Sequence, residues 1–174
     1  MSLLLHTERL YLRLPELADS DRLTDLLDHE VVINLAVVPA DYKAQDAMVW
    51  INTCRTNFAD KTGFNLLVCK PETGVIGTVG VRHEGNGRWT LGYWLGAAFW
   101  GNGYATEAAA ALLNWLADNH PVAAITANHF LDNPASGRVL EKLGLRLNGQ
   151  VKQSSVARGG DHPAMSYVLE PDRA

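Results

Sequence analysis

The run FWGNGYATEAAAALLNWLADN, Phe99 to Asn119, constrains the fold more than any other part of the chain. An aromatic pair leads through Gly101 and Gly103 into an alanine- and leucine-rich stretch from about Tyr104 to Asn119, and His120-Pro121 stops it. The segment just before, RWTLGYWLG, reads as a strand. The leucines and Trp115 along the helix read as core, so a helix of this kind has to pack one face on a layer of strands.

The remaining pattern fits that requirement. ERLYLRL, FNLLVCK, GVIGTVGVRHE, VAAITANHF, LRLNGQVKQSS and PAMSYVLE read as further strands. ELADSDRLTDLLDHE, YKAQDAMVWINTCRTNFAD and NPASGRVLEKLG read as helices, the second with Asp41 as candidate N-cap. Strands flank helices both singly and in a run, which predicts a mixed α/β (α+β) class built on one sheet. No linker or repeat divides the chain, so residues 1–174 are expected to form a single domain.

Net charge −4 and pI near 5.8 argue against a nucleic-acid partner. Cys54 and Cys69 show neither C-x-x-C spacing nor a histidine cluster, so no metal site is expected and a reduced, cytoplasmic setting fits. The N-terminal run carries His6, Glu8 and Arg9 too early for a signal peptide, and VVINLAVVPA is too short to span a membrane.

The tripeptide Gly-Asn-Gly occurs twice. At Gly85–Gly87 it lies between two strand-like runs, where Asn86-Gly87 predicts a type I′ hairpin turn. Closing the hairpin on those two residues sets Gly85 opposite Arg88, Glu84 opposite Trp89 and His83 opposite Thr90. At Gly101–Gly103 the tripeptide opens a helix instead. Helix starts expose unpaired N–H groups, and glycine lets a phosphate approach them; a plain strand-to-helix connector is the alternative. A dinucleotide fingerprint fails, because Thr106 stands where its third glycine belongs and no acidic residue follows at the required distance. Asn133-Pro134 forms a helix start, with Asn133 as N-cap and Pro134 at the first helical position.

Taken together, LGYWLGAAFWGNGYATEAAAALLNWL and NPASGRVLEKLGL resemble the GNAT superfamily of acetyl-CoA-dependent N-acetyltransferases, its RimJ/RimL-like branch in particular. TERLYLRL, DYKAQDAMVWI, GVIGTVGV and RGGDHPAMSYVL extend the likeness over nearly the whole chain. The resemblance implies one mixed, mostly antiparallel sheet with helices on both faces, splayed near GYWLG to admit CoA. It implies acetyl-CoA as co-substrate, direct acetyl transfer to a primary amine, and a monomer or homodimer. The acceptor would be a protein N-terminus, as in ribosomal-protein acetylation, or a small amine; an acyl-CoA-binding module without catalysis is a further alternative.

By the same resemblance, the backbone of Trp100, Gly101, Asn102, Gly103, Tyr104, Ala105 and Thr106 would cradle the CoA pyrophosphate. Trp100 stands where the superfamily has Arg or Gln. Trp94 and Leu95 would pair with the pantetheine arm, Leu95 taking a catalytic part through a backbone N–H aimed at the thioester oxygen. Ser136 would hydrogen-bond the departing sulfur, with Asn133 beside the cofactor. The branch often has a glutamate, a candidate base, at the position of Thr90. Since His83 is expected opposite Thr90, His83 is the candidate base here. The loops Val31–Tyr42 and Gln153–Pro163 are expected to recognise the acceptor.

Overall fold

The computed structural model describes residues 3–170; the ends of the expected 1–174 domain lie outside these residues. Its elements run β1 (Leu4–His6), β2 (Tyr11–Arg13), α1 (Ser20–Leu26), α2 (His29–Val32), α3 (Ala44–Ala59), β3 (Gly63–Lys70), β4 (Gly74–Gly85) and β5 (Arg88–Leu95). They continue α4 (Tyr104–Asn119), β6 (Ala124–Phe130), α5 (Pro134–Lys142), β7 (Arg146–Ser155) and β8 (Gly160–Leu169).

The eight strands form one sheet in the order β1-β2-β3-β4-β5-β6-β8-β7. Every pairing is antiparallel except β5 with β6, and α4 supplies the crossover that a parallel pair needs. Strand alternation divides the core. Leu66 and Val68 of β3 join Leu112 and Leu116 of α4 and Leu140 of α5 on one face. Leu67 and Cys69 turn to the other face and meet Leu23 and Leu26 of α1 and Ala47 and Ile51 of α3. The helices therefore cover both faces of a single mixed sheet, as expected.

Several local expectations need correction. The expected strand ERLYLRL is cut back to β2, split from an additional strand, β1, that its pattern does not include; the Thr7 hydroxyl accepts the Leu10 N–H (2.9 Å) and closes the turn between them. The first helical segment is likewise split into α1 and α2. Asp28 starts α2 by accepting the Val31 N–H. Helix α3 starts past Asp41: Lys43 is its N-cap residue, and the Asp46 carboxylate accepts the Lys43 N–H at 2.9 Å. Strand β8 includes Gly160, Asp161 and His162, which the sequence pattern leaves in a loop.

The feature that matters for function is the short reach of the β5–β6 pairing. It covers Arg88↔Ala124, Trp89↔Ile125 and Thr90↔Thr126, while β5 continues to Leu95 and β6 to Phe130. Beyond Thr90 the two strands part, leaving backbone groups of β5 without a strand partner on that side.

Candidate active site

Strand β5 leads directly to the glycine loop. After a 3-10 turn at Ala97–Phe99, Gly101 (φ +76°) and Gly103 (φ +78°) both take the left-handed conformation that glycine adopts without steric cost. Gly103 is the N-cap of α4 and provides no side-chain acceptor for the first helical N–H groups. The first backbone bond into the helix is Glu107 N–H to Gly103 O, so the N–H groups of Tyr104, Ala105 and Thr106 have no carbonyl within the helix. Nothing lies within 4 Å of a side chain built at Gly101, and only the Arg9 guanidinium (3.5 Å) does at Gly103. The site is open, lined by N–H groups and at the positive end of a sixteen-residue helix.

This loop is held by the turn between β1 and β2. Arg9 Nε and Nη2 bind Glu107 Oε2 at 2.7 and 2.6 Å, and Arg9 Nη1 donates to the Asn102 carbonyl at 3.0 Å. The Arg9 guanidinium also lies 4.7 Å from the Tyr104 ring centroid. Thr7 Oγ1 and the Arg9 N–H converge on Glu107 Oε1 at 2.6 and 2.8 Å. Burial alone would raise the Glu107 carboxyl, but these hydrogen bonds prevail and hold it below its usual value. A carboxyl depressed by folding contributes stability above its unfolded pKa and loses it as pH falls through the lower folded value. Thermal melts should therefore show Glu107→Gln less stable than wild type by a constant margin above about pH 5, narrowing as the medium is acidified further.

The parted section of β5 offers a second row of backbone groups. Gly96 N–H donates to Ile76 O across β4 at 2.9 Å. Antiparallel alternation then points the backbone groups of Trp94, Gly92 and Thr90 at β4 and those of Tyr93 and Leu95 toward the opening. Trp94 is thus corrected: its backbone serves the sheet, and its side chain packs with the α1/α3 cluster. Leu95 keeps its N–H on the open side, while its carbonyl accepts the Trp100 indole N–H at 2.8 Å. The tryptophan that replaces a polar residue in the loop therefore fastens the loop to the end of β5.

Ser136 reaches the same strand from α5. Asn133 is the N-cap of α5, its side chain accepting the Ser136 N–H, with Pro134 at the first helical position. The Tyr93 hydroxyl stands 2.8 Å from Ser136 Oγ and 3.0 Å from the Ser136 carbonyl. Its one proton has two acceptors. Given to the carbonyl, it leaves Ser136 to donate to the phenol oxygen; given to Oγ, it frees the serine proton to point outward. Burial pushes the Tyr93 phenol up to about 12, so the pair stays protonated at neutral pH. The sequence reading missed Tyr93; the available signal was a phenol in a strand that is otherwise apolar on that face, which needs a polar partner.

The hairpin at the first Gly-Asn-Gly forms as expected, with positive φ at Asn86 and Gly87 and Gly85 opposite Arg88. Its register differs one residue further on. A bulge between His83 and Gly85 sets His83 opposite Trp89 and Arg82 opposite Thr90. The extra residue reverses the expected faces. His83 stacks on the buried Trp89 ring (centroids 4.6 Å apart), whereas Glu84 Oε1 lies 3.3 Å from Thr90 Oγ1. The geometric ground for His83 as base is gone. Neither cysteine offers a nucleophile: both are buried, and burial pushes the Cys54 thiol up to about 12 and raises Cys69.

The two loops expected to recognise the acceptor are joined to each other. Arg158 binds the Asp132 carboxylate through both terminal nitrogens at 2.8 and 2.9 Å and lies over the Phe130 ring. Its Nε donates to the Ile33 carbonyl at 2.5 Å, Ser155 Oγ donates to Leu35 O, and Val156 N–H donates to Ala36 O. The β7–β8 turn thus clasps the segment after α2, beside the outer end of β6.

Comparison with known proteins identifies the family and the fold. The acetyltransferase (GNAT) domain model matches residues 9–146. An uncharacterized N-acetyltransferase, p20 of Bacillus licheniformis, is 32% identical over 160 residues, covering 89% of each chain. Among solved structures, an acetyltransferase from Salmonella typhimurium that modifies the N-terminal serine of a ribosomal subunit protein superposes with a TM-score of 0.84 at 19% identity, over 98% of this chain and 100% of the other. The microcin self-immunity acetyltransferase MccE, in complex with acetyl-CoA and AMP, superposes with a TM-score of 0.81 at 22% identity, over 94% and 93%.

Proposed function

This chain belongs to the GNAT acetyltransferase family and is an acetyl-CoA-dependent N-acetyltransferase, and we propose that its acceptor is the α-amino group of a peptide. The observation that carries this reading is the environment of Thr90, at the closed end of the β5–β6 opening. The residue there does not titrate, and the carboxylate nearest to it is partly exposed. A peptide α-amine of pKa about 8 is roughly a tenth neutral at pH 7, whereas a lysine amine of pKa about 10.4 is under a thousandth neutral. A site with little basic assistance suits the α-amine. The ribosomal N-terminal-serine enzyme of the same fold supports the same class of acceptor.

In this reading Trp100–Thr106 present the loop and helix-start N–H groups to the CoA pyrophosphate, and Arg9 holds that loop in shape. Tyr93 and Leu95 pair with the pantetheine arm, and the Leu95 N–H donates to the thioester oxygen as negative charge builds there. Ser136, backed by Tyr93 and positioned by Asn133, donates to the departing sulfur. The thiol leaves as a modest base, with pKa about 8.5, so a hydroxyl donor is adequate. The buried, raised thiols support direct transfer with no covalent enzyme intermediate, and free cysteines suit a cytoplasmic setting. Among the described residues no helix is long and apolar enough to cross a membrane. The unit acts as one domain, as a monomer or homodimer.

The test is incubation with acetyl-CoA and a mixed panel of peptides and small amines, with mass detection of acetylated products. Acetylation confined to peptide α-amines is the expected result. Products confined to small amines or lysine side chains would overturn the choice of acceptor. The Arg158 clasp adds a companion expectation. Arg158→Ala should raise the KM for the peptide several-fold, on the order of 1 kcal/mol of lost positioning, and leave the KM for acetyl-CoA within about twofold.

A further inference from the structure

We propose that His129, acting through Gly137, is the positioning residue that sets Ser136 against Tyr93 across the opening between β5 and β6. For its catalytic consequence the inference rests on the acetyl-transfer reading above, and it gives β6 a part in that site.

The start of α5 bridges the parted strands. Pairing ends at Thr90 and Thr126; Tyr93 lies three residues past the first and His129 three residues past the second, at matching positions on either side of the opening. Tyr93 meets Ser136, its hydroxyl 2.8 Å from Oγ and 3.0 Å from the carbonyl oxygen. His129 meets the next residue of the helix: a Cβ built on Gly137 would lie 2.7 Å from His129 Nε2. Tyr167 of β8 completes the seat. Its hydroxyl oxygen is 3.1 Å from the same Cβ position and donates to Glu141, one turn further along α5, at 3.4 Å. Strands β5, β6 and β8 are neighbours in the sheet, so α5 rests on all three.

This close approach is what calls for glycine at position 137. Gly137 is buried within α5 and has no positive φ, and inside a helix glycine is less favourable than alanine, so the backbone itself gives no reason for it. The missing Cβ does. His129 cannot swing aside to admit one: it is 7% exposed, its Nδ1 donates to the Phe130 carbonyl at 2.8 Å, and its ring lies against that of Tyr167 with centroids 5.5 Å apart. A methyl group at 137 would stand 2.7 Å from this fixed ring, well inside van der Waals contact. Close-packed interiors answer such overlap by moving backbone, so the start of α5 would lift from β6. Ser136 would move with it, while Tyr93 stays on β5.

The test compares wild type, Gly137→Ala and Gly137→Ala carrying His129→Val, by kinetics with a peptide acceptor and by crystal structures. In Gly137→Ala the separation of Tyr93 Oη and Ser136 Oγ, 2.8 Å here, should lengthen beyond hydrogen-bond range, and His129→Val should bring it back. The kcat of Gly137→Ala should fall about tenfold to a hundredfold, the cost of a misplacement of about 1 Å. Its KM for acetyl-CoA should stay within about twofold, because the N–H groups of the glycine loop and β5 are untouched. Adding His129→Val removes the obstructing ring and should return kcat to within about threefold of wild type. In a Ser136→Ala background, Gly137→Ala should lower kcat by less than about twofold, since the group it displaces is already gone. An unchanged Tyr93–Ser136 separation in Gly137→Ala would overturn the inference, as would an equal loss of kcat with and without the serine. A lengthened separation with wild-type kcat would uphold the seat and defeat instead the assignment of Ser136 to the departing sulfur.

Discussion

Replacing Gly103 by valine is expected to abolish acetyl-CoA binding while leaving the protein folded. Gly103 has φ +78° at the N-cap of α4 and is exposed, with open space around its Cα apart from Arg9. A β-branched residue in that conformation costs about 1–2 kcal/mol, which a domain with roughly 5–15 kcal/mol of stability survives. The effect on the ligand is larger, because the branched side chain would stand in front of the N–H groups of Tyr104 and Ala105. Losing two hydrogen bonds to a charged phosphate, at about 1.5–3 kcal/mol each, weakens binding by a hundredfold or more. Calorimetric titration with CoA, alongside a thermal melt, measures both quantities. Retained affinity in a folded Gly103→Val protein would remove the loop from the site.

The second large effect belongs to the Tyr93–Ser136 pair. Tyr93→Phe keeps the ring and its packing but removes the hydroxyl that faces Ser136 Oγ at 2.8 Å. Ser136 Oγ then loses the phenol hydroxyl that fixes its orientation, and in the proposed reading protonation of the leaving sulfur loses its relay. A fall in kcat of about tenfold to a hundredfold is expected, at the modest end for proton-transfer catalysis because the thiol is a good leaving group. The KM for acetyl-CoA should change little, since the Tyr93 backbone that faces the opening is intact. Ser136→Ala should behave alike, and the double variant should lose no more than the worse single one, the mark of two groups acting as a unit. The Tyr93 phenol is pushed up to about 12, and a tyrosine with a raised value stays protonated as pH climbs past its ordinary range. Wild-type kcat should therefore show no downturn from this group near pH 10. Additive losses in the double variant would contradict the relay.

The local features of this site were legible in the sequence because their causes are local. Asn86-Gly87 closes a hairpin since both positions need positive φ, and Gly103 precedes a helix whose periodicity runs unbroken to Asn119. Asn133-Pro134 is a cap that three adjacent residues define. The parts that escaped depend on distant contacts or on a change of register. Tyr93 and Ser136 are 43 residues apart, and Arg9 and Glu107 are 98 apart; neither pair has a spacing that periodicity could reveal. The clasp of Arg158 on Ile33 spans 125 residues. The exchange of His83 for Glu84 arose from one bulged residue, and with a two-residue side-chain period a single insertion reverses which groups share a face. The backbone assignment of Tyr93 and Leu95 in place of Trp94 follows from a hydrogen-bond phase that the Gly96–Ile76 contact sets.

Amide hydrogen exchange with and without CoA tests the central claim most directly, because the proposed cradle is made of backbone N–H groups. Saturating CoA should slow exchange at Gly103, Tyr104, Ala105 and Thr106 and at Tyr93 and Leu95 in the opening of β5, leaving the Asn86-Gly87 hairpin turn unchanged. Binding of CoA with no protection at the start of α4 or along the outer half of β5 would contradict the site described here.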